Sequence, residues 1–362
     1  MSYQDSLRIL EEYKEQREDF STLEAIATDI VTGVIYDAGI TVMDIKHRVK
    51  SVTSLLNKVN RKPDSYKHLC DITDILGVRI ICYFTDEIDI IGNLIINNFV
   101  IDEEKSVDKR RLIKADSFGY LSLHFICYLK NDGRYDKNLC SLPFEIQIRT
   151  VLQHQWATIE HTFGYKTQYG VPRYVRREFS RLAGLLELAD DEFVRVRNHV
   201  EQYTQDIHDR IIDNDADDVS IDSVSLEEFL NYNKQMQDFV MKIASIEDSE
   251  VEYTSSEAYI EQLAWLEKYT LGDLNKMLKE NRKLAYKLAF NTLSGTELEM
   301  IASNVALRFL CRAELVAKGY SLEEIVGFLS ISVKDHDRAV RQAERLLAQY
   351  EAIKASEDLE EQ

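Results

Sequence analysis

The stretch Phe-Glu-Ile-Gln-Ile-Arg-Thr, residues 144–150, indicates both how the chain folds and where it acts. Apolar and polar side chains alternate along it, so a strand here has one apolar face and one polar face. The polar face carries a carboxylate, an amide and a guanidinium, at Glu145, Gln147 and Arg149. Such a row is unusual for a merely solvated face and is a suitable floor for a charged ligand. We therefore expect the active centre on this face of a sheet, with a helix following over 150–165.

A second alternating stretch, residues 119–129, repeats the pattern of an apolar back and a polar front. Tyr120, Ser122 and His124 share its polar face. An aromatic ring beside a hydroxyl and an imidazole suits a nucleobase, which can stack and form hydrogen bonds there. A single histidine on a strand is more often structural, but two polar rows of this kind favour a site.

A run of basic side chains lies in residues 41–62, which predict a short strand turning into a helix near residue 51. Arg48 and Lys50 share a face of the strand, and Ser54 and Lys58 share a face of the helix. All four side chains can bind phosphate. For such a run by itself, the alternative is a solvated basic face.

Residues 71–84 predict a buried strand that follows Asp74 and carries Arg79. An arginine in so apolar a run needs a partner, because burying an unpaired charge is costly. The pair therefore indicates either a structural ion pair or a site. Asp74 and Glu145, two carboxylates among several cations, fit a Mg²⁺–nucleotide site. The sequence contains no GxxxxGK[ST], GxGxxG or HExxH-type motif, which argues against a Walker-type NTPase, a dinucleotide-binding fold and a zinc enzyme.

Composition narrows the class of protein. The 362 residues carry 44 basic and 63 acidic side chains, a formal charge of −19. A chain this acidic is not a general nucleic-acid or membrane binder, so an anionic substrate needs a local basic pocket. Five scattered cysteines without CxxC spacing, and no signal peptide or bilayer-spanning apolar run, predict a cytoplasmic protein.

The remaining chain is predicted to be mostly helical, since the whole sequence has only 3 Pro and 13 Gly. Helices are expected at 4–36, 86–99, 172–210, 225–243, 256–268, 271–290, 295–319 and 321–355. Thr270 and Ser321 are predicted caps, with Glu324 completing a capping box. The predicted domains are a synthetase region with an N-terminal helix at 1–211, an acidic linker at 212–224, and a helical extension of unknown role at 225–362.

Five spaced motifs resemble the synthetase domain of the RelA/SpoT alarmone synthetases over roughly residues 40–200. They are Arg48-x-Lys50-Ser51 with Ser54 and Lys58; Asp74-x-x-Gly77-x-Arg79; Gly119-Tyr120-x-Ser122-x-His124; Glu145-Ile-Gln147-Ile-Arg149-Thr150; and Trp156-Ala157-x-x-Glu160-His161. The resemblance implies an α+β fold, in which a mixed sheet flanked by helices forms a nucleotidyltransferase-like domain ahead of the all-helical C-terminal region. It implies transfer of the β,γ-pyrophosphate of ATP to the 3′-hydroxyl of GDP or GTP, which makes (p)ppGpp.

The same resemblance implies a role for each matching residue. The residues that would bind ATP are Arg48, Lys50, Ser54, Lys58 and Arg79, with the two arginines on either side of the adenine. The residues that would bind the acceptor nucleotide are Tyr120, His124, Gln147, Lys114 and Arg111. Asp74 and Glu145 would bind Mg²⁺, and Glu145 would also act as the base.

One departure leaves the acceptor open. The family often has Lys-Pro-Asn before Gly-Tyr, whereas this chain has Asp116-Ser117-Phe118, so Lys114 or Arg111 would have to supply the missing cation. A toxic relative that modifies adenosine nucleotides or the 3′ CCA end of tRNA is the first alternative. A catalytically silent nucleotide-binding interaction protein is the second. We expect either a homo-oligomer or a protein partner for the helical extension, and no membrane.

Overall fold

The structure is a computed structural model that describes residues 3–61, 65–108, 110, 122–164 and 172–360. The chain divides into two compact units, Met1–Asn198 and His199–Gln362. In the described part of the chain, no helix is both long enough and apolar enough to cross a bilayer.

A mixed sheet forms the centre of the first unit. Its described strands are β1 (Val42–Val49), β2 (Leu76–Cys82), β3 (Val100–Ile101), β4 (Val107–Asp108), β5 (Leu123–Tyr128) and β6 (Phe144–Thr150). The strand order is β1-β2-β6-β5-β3, with β4 also paired to β5. Strands β2 and β6 are parallel and the other pairs are antiparallel. The predicted mixed sheet is therefore confirmed.

Helices cover the apolar face of this sheet. The helices of the first unit are α1 (Tyr3–Glu15), α2 (Arg17–Asp37), α3 (Val52–Arg61), α4 (Glu87–Asn98), α5 (Lys137–Cys140), α6 (Val151–Gly164) and α7 (Arg173–Ile212), which runs into the second unit. Helices α2 and α4 contact the sheet and each other, and Val78, Ile80, Phe144, Ile146 and Ile148 are buried in the core they share. Burying a side chain of this size contributes about 1.5–3 kcal/mol. That core leaves the alternate, polar side chains of β2 and β6 facing away from α2 and α4.

The second unit is mostly helical. It contains α8 (Ser223–Tyr232), α9 (Lys234–Ala244), α10 (Ala258–Trp265), α11 (Leu271–Leu293), α12 (Val305–Ala317), α13 (Leu322–Ser330) and α14 (His336–Glu360). A parallel pair of short strands, β7 (Glu250–Glu252) and β8 (Met300–Ala302), accompanies them. The caps predicted at Thr270 and Ser321 are confirmed, each as a capping box.

Three local predictions differ from the structure. The single helix predicted at 4–36 is two helices that meet at Gln16. The helix predicted at 295–319 begins only at Val305, because Gly295 and Glu297 adopt left-handed backbone conformations with φ of 76° and 53°. Residues 213–222, within the predicted linker, place Ala216 and Val219 in the hydrophobic core of the second unit. The functional domain boundaries at 211 and 224 stay a prediction.

Candidate active site

The pairing register of the sheet gathers the polar side chains into two adjacent rows. One row runs across four strands through Lys46, Arg79, Gln147 and His124, which are register partners on β1, β2, β6 and β5. The next row runs through Arg48, Gly77 and Glu145. Alternate residues on a strand point to the same face, so both rows lie on one face of the sheet.

A cavity of about 470 Å³ lies over these rows, and we call it the first cavity. Its charged and polar lining consists of Lys46, His47, Arg48, Lys50, Asp74, Arg79, Glu145 and Gln147. Gly77 lies in the floor, and no atom beyond Gly77 and its two chain neighbours is within 4 Å of the position a Cβ would take there. Gly77 is therefore a residue of β2 whose lack of a side chain keeps the floor open.

Asp74 binds the two lysines of the predicted phosphate site. Its Oδ1 lies 2.6 Å from Nζ of Lys58, and its Oδ2 lies 3.2 Å from Nζ of Lys50. Burial raises the pKa of Asp74, but the hydrogen bond from Lys58 and the charges of both lysines outweigh this, and the pKa falls below its ordinary value. The carboxylate is therefore ionised at neutral pH and holds both ammonium groups beside the first cavity.

Glu145 is the centre of a hydrogen-bonded chain across the sheet. Its Oε1 lies 2.7 Å from Nδ1 of His124, and its Oε2 accepts a hydrogen bond of 2.8 Å from Nε2 of Gln147. Nε2 of His124 lies 2.6 Å from Oγ of Ser122, and Nε of Arg79 donates to Oε1 of Gln147 at 3.3 Å. Both carboxylate oxygens therefore have partners, which fixes the direction of the side chain.

The same contacts set the ionisation of Glu145. Burial raises its pKa, the hydrogen bond and charge of His124 lower it more, and Gln147 adds to the lowering. The net pKa lies below its ordinary value even though Asp74, a second carboxylate, acts to raise it. The two carboxylates line the same cavity, so the negative charge of each opposes ionisation of the other.

A second cavity of about 450 Å³ adjoins the first. The two cavities share Arg48, Arg79 and Gln147 in their linings. The rest of the second lining comes from β5, β6 and α6: His124, Arg149, Ala157, Thr158, Glu160, His161 and Thr162. Two cavities with common arginines between them form one cleft with room for two ligands.

The structure brings together most of the residues predicted for the site. Seven of them, Arg48, Lys50, Asp74, Arg79, His124, Glu145 and Gln147, line the cleft, and Lys58 reaches it through Asp74. Ser54 is exposed on α3, where it shares a hydrogen bond of 3.0 Å with Ser51, and it is not part of either lining. Tyr120, Lys114 and Arg111 lie outside the described residues.

Sequence reasoning missed two contributions to the cleft. Lys46 lines the first cavity, and the alternation that groups Arg48 with Lys50 would have included it. His161 and Glu160 line the second cavity from α6; they belong to the motif at 156–161, but no binding role was predicted for them.

The residues present fit a Mg²⁺ ion brought in with a nucleotide. In the described ranges, no three His, Cys, Asp or Glu side chains gather as metal ligands. The two ionised carboxylates of Asp74 and Glu145 instead line the same cavity. Mg²⁺ is usually held by one or two carboxylates together with substrate phosphates, and not by a cage made only of protein.

The fold and the site together describe an α+β protein whose mixed sheet carries a cation-rich cleft beside two carboxylates. Residues 47–170 match the family described as "Region found in RelA / SpoT proteins". GTP pyrophosphokinase YjbM from Bacillus subtilis (strain 168) is 32% identical over 157 residues, 43% of this chain and 72% of that protein. GTP pyrophosphokinase YwaC from the same organism is 31% identical over 176 residues, 43% of this chain and 74% of that protein. The chain belongs to the RelA/SpoT family.

Among solved structures, small alarmone synthetase 1 from Bacillus subtilis matches 53% of this chain and 99% of its own, at 24% identity and a TM-score of 0.44.

Proposed function

We propose that this protein is a GTP/GDP pyrophosphokinase, which transfers the β,γ-pyrophosphate of ATP to the 3′-hydroxyl of GDP or GTP and makes (p)ppGpp. The observation that carries the proposal is the two-cavity cleft with Arg48, Arg79 and Gln147 common to both linings. Transfer between two nucleotides needs two adjoining sites. The two relatives named GTP pyrophosphokinase support this choice of reaction.

The donor nucleotide is assigned to the first cavity. Lys46, Lys50 and Arg48 supply positive charge there, and Lys58 stands beside them on Asp74. The phosphates of ATP would draw the lysines away from Asp74 and so free this carboxylate. Arginine planes stack well on nucleobases, which supports Arg48 and Arg79 as the pair that holds adenine. In phosphoryl-type transfer, most of the protein's contribution is positioning and neutralisation of charge.

Asp74 and Glu145 are the proposed ligands of Mg²⁺. When bound, the ion would neutralise phosphate charge and help to align the ATP phosphates. Glu145 is also the proposed base for the acceptor 3′-hydroxyl, because it is ionised and points along a fixed direction. His124 stabilises the ionised form of Glu145, the form that a base needs, through the 2.7 Å contact. Gln147 and His124, which flank Glu145, would then border the acceptor nucleotide.

The acceptor is assigned to the second cavity, where Arg149 and His161 offer cationic and hydrogen-bonding groups. Tyr120, with Lys114 or Arg111, stays a proposed contact to the acceptor. Guanosine nucleotides are the proposed acceptors on the strength of the two relatives. We propose the cytoplasm as the location, since all five cysteines are free thiols.

The test is a transfer assay with the purified full chain, γ-labelled ATP and Mg²⁺. GDP, GTP, AMP and deacylated tRNA are supplied as acceptors in separate reactions. We expect label in a guanosine product, and its loss when EDTA removes the metal. Label in adenosine product or tRNA instead would replace the proposed acceptor but keep the reaction. No transfer to any acceptor, with ATP still bound, would overturn the enzymatic proposal.

A further inference from the structure

A third cavity lies within the second unit, and arginines dominate its charge. It has a volume of about 290 Å³. Arg308 on α12, Arg312 one turn later, and Arg338 on α14 contribute to its lining. We call it the arginine cavity.

Helix spacing explains why these side chains converge. Residues four apart on a helix are neighbours on one face. That relation holds for Arg308 and Arg312 on α12, and for Arg338 and Gln342 on α14. Helices α12 and α14 contact each other, so the two faces meet at the cavity.

The arginines are unusual for their surroundings. Residues 199–362 contain 17 basic and 33 acidic side chains, a formal charge of −16, which is most of the −19 of the whole chain. Nevertheless, no Asp or Glu lines the arginine cavity. Among described residues, Arg308, Arg312 and Arg338 form no ion pair with a carboxylate.

Arg312 is the least exposed of the three cations, and its environment is unfavourable without an anion. Burial lowers the pKa of Arg312 to about 10, and the charges of Arg308 and Arg345 contribute to the lowering. Its guanidinium has an amide partner, with Nη2 donating to Oε1 of Gln342 at 3.3 Å. Arg308 and Arg338 are exposed, so water solvates them, whereas the partly buried Arg312 lies near their like charges with no carboxylate in the cavity lining, an arrangement that a bound anion would stabilise.

The cavity also offers neutral groups suited to a polar ligand. Gln262 and Ser332 line it and share a hydrogen bond of 2.9 Å. The hydroxyl-bearing Tyr259 and the ring of Phe328 complete one wall. The volume of about 290 Å³ is large enough for a pyrophosphate group.

We propose that the arginine cavity binds a polyphosphate anion, either free pyrophosphate or the phosphate chain of a nucleotide, with Arg308, Arg312 and Arg338 as the anion-binding residues. Guanidinium groups bind phosphate oxygens through paired, charge-assisted hydrogen bonds. The inference does not depend on the reaction catalysed in the first unit. It assigns a ligand site to the helical extension.

The experiment measures binding of labelled pyrophosphate to the full chain by equilibrium dialysis. All proteins carry Lys50→Gln and Lys58→Gln, which weaken phosphate binding in the catalytic cleft, so that differences between variants report on the second site. Adding Arg308→Gln and Arg338→Gln should weaken binding at least tenfold, since each charge-assisted hydrogen bond contributes strongly. The matched control adds Lys276→Gln and Lys279→Gln, two exposed cations on α11, and should bind as the parent does.

Competition with ATP, GTP and inorganic phosphate identifies the source of the anion. If a nucleotide displaces pyrophosphate at an equal or lower concentration, the ligand is the phosphate chain of a nucleotide. If nucleotides bind more weakly than pyrophosphate, the ligand is free pyrophosphate. Equal affinities for the arginine variant and the control, or no binding to the parent, would overturn the proposal. Melting gives a second readout: without anion, the arginine variant should melt no lower than the control, because like charges have been removed.

Discussion

Glu145→Gln is the sharpest test of the proposed mechanism, because it changes charge while nearly preserving shape. The carboxylate accepts from His124 and Gln147 at 2.7 and 2.8 Å. A glutamine amide can accept only one of these hydrogen bonds, since its other end is a donor. The variant therefore loses the proposed base, the proposed metal ligand and one hydrogen bond together.

The expected sizes of these effects differ, and that difference makes the test informative. A positioned base contributes about 10²–10⁴-fold to rate, or about 2.7–5.5 kcal/mol of barrier. One unsatisfied buried hydrogen bond costs about 1–3 kcal/mol of stability, and removing a buried charge offsets part of this. Affinity for ATP should stay within about threefold, because the lysines and arginines of the first cavity remain.

The assay combines initial rates of transfer from γ-labelled ATP, equilibrium binding of ATP, and thermal melting of the same preparations. Glu228→Gln is the matched control, because Glu228 also pairs with a histidine, at 3.2 Å from Nδ1 of His208, but in the second unit. It should transfer at the parental rate. A Glu145→Gln enzyme that retained more than about a tenth of the parental rate would refute the assigned role, since a base contributes far more than that.

Other expected outcomes follow from single residues. Gly77→Val should raise the KM for ATP, because the valine side chain enters open space in the first cavity. The free energy of unfolding should rise by up to about 1 kcal/mol, because valine favours a strand more than glycine does. An unchanged KM would contradict the assignment of ATP to that cavity. Burial raises the pKa of Asp190 to about 6, so this group's contribution to stability is complete below about pH 4 and is lost as pH rises through 6. Asp190→Asn should therefore gain up to about 3 kcal/mol at pH 7.5 but little at pH 4, as urea unfolding at the two pH values would reveal. Glu314 is buried, and its Oε1 lies 2.8 Å from Nζ of Lys268 and 3.0 Å from Nζ of Lys318. Glu314→Ala should lower the free energy of unfolding by about 3–5 kcal/mol, measured from the loss of helical circular dichroism on heating. A smaller loss of stability in Glu314→Ala than in Lys318→Ala would contradict this expectation.

Strand periodicity is the part of the site that the sequence predicts well. The alternation over 144–150 depends only on the pleat of one strand, and β6 covers those residues with Glu145 and Gln147 on the cavity side. Helix caps at Thr270 and Ser321 are equally local, since a cap and its partner are three residues apart. Predictions of this kind need no knowledge of tertiary structure.

Register and long-range convergence are what the sequence does not specify. Periodicity predicts which face of the sheet Arg79 points to, but not which side chain lies beside it. Its hydrogen bond to Gln147, a residue 68 positions away in the sequence, arises from the parallel pairing of β2 and β6. The pair of strands at 250–252 and 300–302 was missed for the same reason, since each is too short to carry a pattern. The arginine cavity likewise joins helices separated along the chain, so its cations look like unrelated surface charges in the sequence.

The uneven distribution of charge explains how so acidic a chain can serve anionic substrates. Residues 1–198 carry 27 basic and 30 acidic side chains, nearly balanced, while residues 199–362 carry the charge of −16. At physiological ionic strength, exposed charges are largely screened beyond about 8 Å, whereas charges lining a partly enclosed cavity are screened much less. The cations of the first cavity therefore act on a phosphate at close range, whatever the net charge of the whole chain. A strongly negative net charge argues against general binding to nucleic acid or membranes. It does not predict the local charge of a cleft, and the lining of this one places Lys46, Arg48, Lys50 and Arg79 around two carboxylates.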